Sequence, residues 1–262
     1  MPTAYNNIMP GVCTRVFAVW SRHVRVYTKN LFSNGFPPFV EPLIFLTGVG
    51  FGLGKYMPDI AGVRYVEFLA SALVVTTSMM TAAFECSFGT FIRMEFNKVY
   101  EGMLAAPLSV ENLLIGEMLW AATKGLFFSF AVLVIVMPLG IIKFPEGLMA
   151  PFVGFLTGFM FAALSLFVTS FVKSIAYFNF YMTGLLSPMF FFCGAVFPVS
   201  QLPQWMQPIV EILPLTHSVR LSRAFCLLRI EPVIAYDLLY IIIFTSLFVF
   251  LGIKRLKRRL ID

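Results

Sequence analysis

Charged side chains are few in this chain, and several stand where charge is expensive. Glu41, Glu67, Glu85, Glu117 and Lys124 fall inside long apolar runs. A charge at the centre of a membrane helix costs ~2.5–3.5 kcal/mol on insertion scales, so such groups turn towards protein or water and seek an opposite charge. Glu117 and Lys124 are seven residues apart, which puts them on one helix face about 10 Å apart at a rise of about 1.5 Å per residue. That gap is too wide for a direct pair, so each needs a partner on another helix. Glu41, Glu85 and Lys124 are the candidates for one buried network. Glu67 and Glu85, near the ends of their run, are also within reach of the membrane interface. Lys124 has two readings, a structural ion pair and a direct contact to a bound substrate.

A second set of candidates, His217, Arg220 and Arg223, lies in a segment that Pro198, Pro203, Pro208 and Pro214 interrupt too often for a membrane span. The segment is also too apolar for an ordinary loop, which predicts short re-entrant helices. Irregular backbone at membrane depth is tolerated only where protein or a water-filled cavity covers it. Arg220 and Arg223 share a helix face and fit either an anionic headgroup or a neighbouring carboxylate. His217 reads as a packed, hydrogen-bonded residue, since the one other histidine, His23, is far away in the chain. No metal site is expected. Cys13, Cys86, Cys193 and Cys226 show no close pair of the kind that zinc or redox chemistry needs, and read as small packing residues.

Nucleotide hydrolysis needs a glycine-rich loop ending in Lys and Ser or Thr to cradle the phosphates. The run "GVGFGLG" has the glycines but not that ending, and close helix packing is the expected use. No cofactor is therefore expected on this chain. A lipid-modifying enzyme would need clustered His and Asp or Glu on one aqueous side, and the sequence offers no such cluster. A secondary transporter would show an internal repeat with paired broken helices, which the two halves do not convincingly display.

The elements that position these residues follow from composition. Of 262 residues, 59% are hydrophobic and 12% charged, against about 25% charged in soluble domains. The class is all-α membrane protein, one domain over 1–262. Six stretches approach the ~20 apolar residues that a spanning helix needs. They are 37–53, 65–91, 110–137, 149–171, 174–197 and 233–253, so that 37–253 holds the spans. With a cytoplasmic N-terminus, 12 of the 19 basic residues fall on the cytoplasmic side. The positive-inside rule then places both termini in the cytoplasm, with 254–262 as a basic tail on anionic lipid. Such basic residues flank apolar runs and argue for topology rather than nucleic acid.

Two amphipathic stretches complete the plan. Across 13–32, Val16, Trp20, Val24, Tyr27 and Leu31 fall on one helix face, and Arg15, Arg22, Arg25 and Lys29 on the other, which predicts an interfacial helix with its aromatic side in the headgroups. No leader cleavage pattern precedes it. In "FIRMEFNKVYEGMLAAPLS", Ile92, Phe96, Val99, Tyr100 and Met103 form an apolar stripe opposite Arg93, Asn97 and Glu101. A single short helix between spans two and three is expected, closed by Pro107 and Ser109.

The run from "EGML" through "GEMLWAATKGLFF", and the block "SPMFFFCGAVFPVSQLPQWMQPIVEILPLTHSVRLSRAF" with its "FP", "LPxW" and "LPLTH", resemble the permease subunits of type-2 ABC exporters. The likeness is strongest to the lipooligosaccharide branch, that of the nodulation-factor exporter permease. The resemblance implies a homodimer paired with a cytoplasmic ABC ATPase subunit, which binds ATP and magnesium. It also implies an amphipathic glycolipid, lipooligosaccharide or polysaccharide as substrate, and a bacterial cytoplasmic (inner) membrane location. Drug efflux by the same architecture is the alternative. In that family the helix between spans two and three is the coupling element, a role that would fall to Met94, Glu95, Asn97, Lys98, Glu101 and Gly102. His217, Arg220 and Arg223 would then lie near the exit.

Overall fold

A computed structural model describes residues 10–60, 62–229 and 231–261, and among them every regular element is helical. In chain order we number α1 Val12–Lys29, α2 Phe39–Gly54 and α3 Tyr65–Phe96, and α4 Val99–Leu104. There follow α5 Val110–Val136, α6 Gly147–Thr169 and α7 Ile175–Phe192, α8 Gln207–Glu211, α9 Pro214–Cys226 and α10 Val233–Leu260.

Five of these helices, α3, α5, α6, α7 and α10, are long and apolar enough to cross a membrane. The expected first span is not among these five: its apolar helix Phe39–Gly54 is preceded by helical turns from Pro37, and together they reach about 27 Å at about 1.5 Å per residue, close to a hydrocarbon core of about 30 Å. Pro42 inside it and a wide π-turn over Leu46–Phe51 loosen its backbone ladder. Of the four glycines at 48–54, Gly50 alone is tightly packed, where a Cβ would meet Leu46 and Val66 at 3.1 and 3.2 Å.

At the centre, α3, α5 and α6 approach closely because small residues face one another. Gly154 and Gly158 lie one turn apart on α6, and a methyl at Gly154 would run into Ser129 Oγ of α5. Ser129 Oγ instead donates to the Val74 carbonyl of α3 at 2.6 Å. This is the packing mode that lipid favours, since apolar surface alone gives helices no reason to prefer each other over acyl chains. The short helix α9, from the proline-interrupted segment, is inserted against this centre. Leu215, Val219 and Leu221 are buried, and Ser222 Oγ donates to the Ser71 carbonyl of α3 at 2.7 Å.

Three sequence expectations change. Helix α3 does not stop near Phe91 but continues through π-turns at Glu85–Gly89 and Ile92–Phe96, because its charges are neutralised inside the fold. The chain then breaks at Lys98, which takes a left-handed φ of 52°, before the separate α4. The single amphipathic helix expected over this stretch is therefore two pieces. Its apolar stripe is broken too, with Ile92 and Phe96 exposed while Met94 and Tyr100 are buried.

The second change concerns α1. Its aromatic face meets protein instead of headgroups: Val19 and His23 are buried, Trp20 Nε1 donates to Thr123 Oγ1 at 3.0 Å, and Tyr27 packs edge-on to Trp120. Gly116 of α5 makes the approach possible, since a Cβ there would lie 2.6 Å from Val19. Leu31 stays exposed. Third, the basic tail is not simply spread on lipid, because the helix continues through it. Lys257 pairs with Glu111. Arg259 pairs with Glu95 at 2.8 Å and donates to the Thr169 and Val172 carbonyls.

Candidate functional site

The charges expected to seek partners form one chain across three helices. His23 Nε2 of α1 lies 2.9 Å from Glu117 Oε1 of α5. Arg93 Nη2 of α3 donates to Glu117 Oε2 at 2.6 Å, and its Nη1 donates to Glu85 Oε1 at 2.7 Å. Lys124 Nζ of α5 closes the series on Glu85 Oε2 at 2.8 Å. Both oxygens of each carboxylate are thus engaged, and Glu117 is fully enclosed. Two acids face one guanidinium and one ammonium, so the charges of these four cancel. Removing one member of such a buried set leaves an uncompensated charge, which costs more than the pair contributes when intact.

As expected, Glu117 and Lys124 each find a partner on another helix, Arg93 and Glu85 of α3. The expected link from Glu41 into the network does not form. Glu41 is exposed, and among the described residues it has no hydrogen-bond or ion-pair partner. Glu85 is held inside the ion chain by Arg93 and Lys124, and α3 runs on beyond it. Glu67 is near the start of α3, paired with Arg64 at 2.7 Å.

Lys124 and Glu41 do share a cavity of about 430 Å³ between α2, α3, α5 and α7, within the range of small-molecule sites. Phe45, Phe84, Phe128 and Phe190 give it aromatic walls. Thr76 and Thr77 are tied to the Leu73 carbonyl, which leaves Thr81, Glu41 and Lys124 as the polar groups that face it. Glu41 and Phe45 also line a shallower groove with Phe36, Val40 and Ile44, so the carboxylate stands where the two meet. The arrangement can hold an apolar body while offering a donor and an acceptor to its polar part.

The residues around the break beyond Arg93 divide into two groups. Met94 is buried, and Glu95 is held by Arg259. Asn97, Lys98, Glu101 and Gly102 are exposed. Lys98 and Glu101 pair across one turn at 3.2 Å, and nothing comes within 4 Å of where a Gly102 Cβ would be. These four form a polar knob one turn past the ion chain.

At the far end of α3 lies a second cluster. His217 is fully buried, with Nδ1 2.7 Å from Asp237 Oδ1 of α10 and Nε2 2.9 Å from the Glu211 carbonyl oxygen. Tyr240 stacks on its ring at 3.8 Å. Arg220 reaches both Asp237 and Glu211, donating to Glu211 Oε1 and Oε2 at 3.0 and 2.9 Å. Burial works against its charge, but the two carboxylates hold its pKa above the ordinary value. Of the two readings for Arg220, the neighbouring carboxylate is the one realised. Among the described residues Arg223 has no carboxylate partner: it lies over the Phe68 ring at 3.6 Å and donates to the Gly194 carbonyl at 3.0 Å. Burial lowers its pKa to about 10, so it remains charged at neutral pH.

Arg93, His23, Glu211 and Asp237 were not identified from sequence as members of these clusters. Glu85 and Arg93, eight residues apart on one helix, were the available signal for the first.

Comparison with known proteins agrees with this architecture. A profile of the ABC-2 type transporter family matches residues 14–227. Nodulation protein J of Sinorhizobium fredii is 37% identical over 258 residues, covering 98% of each chain. Nodulation protein J of Bradyrhizobium diazoefficiens is 34% identical over 261 residues, 100% of each chain. The inner membrane transport permease YadH of Escherichia coli is 19% identical over 202 residues, 77% of this chain and 78% of that one. A multi-pass helical protein whose whole length aligns in this way belongs to the ABC-2 type transporter family as a permease subunit.

Proposed function

We propose that this chain is the permease of an ATP-driven exporter that moves an amphipathic glycolipid or lipooligosaccharide outward across the bacterial cytoplasmic membrane. It acts as a homodimer, with twofold symmetry as the usual closed arrangement. In each copy α2 serves as a sixth span beside the five long ones, and both termini are cytoplasmic. Two copies of a separate ATPase bind ATP and magnesium; the permease itself supplies no phosphate-binding loop. Support for the cargo comes from the full-length likeness to proteins named Nodulation protein J, together with a cavity whose walls are aromatic and whose polar groups both donate and accept.

The observation that carries the reading is the chain from His23 through Glu117, Arg93 and Glu85 to Lys124. One end stands on the cavity wall. Near Arg93 lies the exposed knob of Asn97, Lys98, Glu101 and Gly102, where the ATPase would press, with Met94 and Glu95 anchoring its base. Closure of the ATPase would shift that knob, tilt the end of α3, and move Lys124 and Glu85 against the cavity while His23 carries α1 along. A ligand shifts such an equilibrium only as far as its contacts differ between the two states. Lys124 and Glu41 are the groups whose contacts with cargo would differ. On the opposite side, α8 and α9, with His217, Arg220 and Arg223, would frame the exit.

The test is ATPase stimulation in the reconstituted pair, with a panel of glycolipids and of cationic drugs. Glycolipids are expected to stimulate hydrolysis and drugs to leave it at its basal rate. Stimulation by drugs alone would move the assignment to drug efflux.

A further inference from the structure

We propose that the groove where α10 meets α5 and α6 binds an anionic phospholipid of the surrounding membrane. The groove measures about 570 Å³, and its lining includes Phe159, Val249, Phe250, Ile253, Lys254 and Lys257. Its polarity runs in one direction. From Thr245 to Lys257 it follows about 18 Å of helix at about 1.5 Å per residue, close to one leaflet of a hydrocarbon core about 30 Å thick. At the far end the Thr245 and Ser246 hydroxyls donate to their own helix carbonyls, which leaves no unsatisfied polar group beside an acyl chain. The near end is basic.

Charge selects the lipid. Lys257 is held by Glu111 on α5, so those two charges offset each other. Lys254, by contrast, has the Phe250 ring beneath it at 5.7 Å. Arg258, one turn further, is exposed, and among the described residues neither it nor Lys254 has a carboxylate partner. A phosphate with no cation of its own answers these two groups, whereas a choline headgroup would bring a positive charge to a positive site. Helix α10 is also the span least covered by protein, with 11% of its most apolar window buried, so acyl chains have access to the groove. A lipid seated here would brace α10 against α5 and α6, beside the Lys257–Glu111 and Arg259–Glu95 pairs that fasten the tail to the base of the knob.

The purified full chain in detergent would be titrated with phosphatidylglycerol, phosphatidylcholine and free glycerol phosphate, and followed by native mass spectrometry and thermal melting. Phosphatidylglycerol is expected to bind and raise the melting temperature, while the other two do neither. Lys254→Ala combined with Arg258→Ala, both on exposed positions, should lower phosphatidylglycerol affinity about twenty-five-fold, about fivefold per basic residue, with unchanged melting in lipid-free detergent. Equal binding of the two lipids, or a variant that binds as well as the parent, overturns the assignment. A disulfide between copies through Ser246→Cys in native membranes would also overturn it, because a second copy of the chain would then fill the groove. The readouts need neither the ATPase nor the cargo, so failure here is distinct from failure of the export reading.

Discussion

At Arg93, carboxylates from two helices meet one guanidinium, and the stability of the membrane domain should show it. Glu117→Ala would leave one buried positive charge uncompensated, with Arg93 held by Glu85 alone and His23 without its carboxylate partner, at an expected loss of about 3–5 kcal/mol, measured by chemical unfolding in detergent. Adding Arg93→Ala to that variant should recover part of the loss; a purely additive double variant would mean that the two side chains do not interact. Glu41→Gln should behave in the opposite way, leaving stability within about 0.5 kcal/mol, as for surface changes, while weakening stimulation by glycolipid. The need of Glu117 and Lys124 for partners on another helix was legible, since both the helical period and the cost of buried charge are local properties. Arg93 as the shared partner was not. It stands at the border of an apolar run, where a loop assignment is equally consistent, and only the continuation of α3 turns it inward.

Helices α1 and α4 are where the mechanics are expected to reside. Glu101→Arg, on the exposed knob, should uncouple hydrolysis from transport while the chain still inserts, read as ATPase turnover with little cargo moved. Undiminished transport would place the ATPase contact elsewhere. Gly116→Val puts two methyl groups where Val19 now sits, so α1 should detach from α5; faster proteolysis of 12–29 in the variant would report it. The amphipathic character of both stretches was readable from the sequence, but the orientation of their faces was not. A helical wheel assumes a constant turn per residue, and the π-turn at Ile92–Phe96 and the left-handed Lys98 reset the phase. For α1, the same aromatic residues that suit headgroups also suit a protein surface, and only Gly116 on a distant helix decides between them.

In the whole molecule, two clusters of charge lie towards opposite ends of α3, with the cavity beside Lys124 and α9 packed at the other end. Apolar content and span order were enough to give the class and most of the helices. The re-use of the basic tail as a clamp on Glu95 and Glu111 and the seating of α9 both depend on contacts between residues far apart in sequence, which periodicity does not encode. Central to the proposed function is that work done by a separate ATPase moves cargo through this fold. The most direct measurement is outward movement of a fluorescent lipooligosaccharide in proteoliposomes holding the chain with and without its ATPase. Movement is expected only when both proteins and hydrolysable ATP are present. Movement at full rate by the chain alone would contradict it.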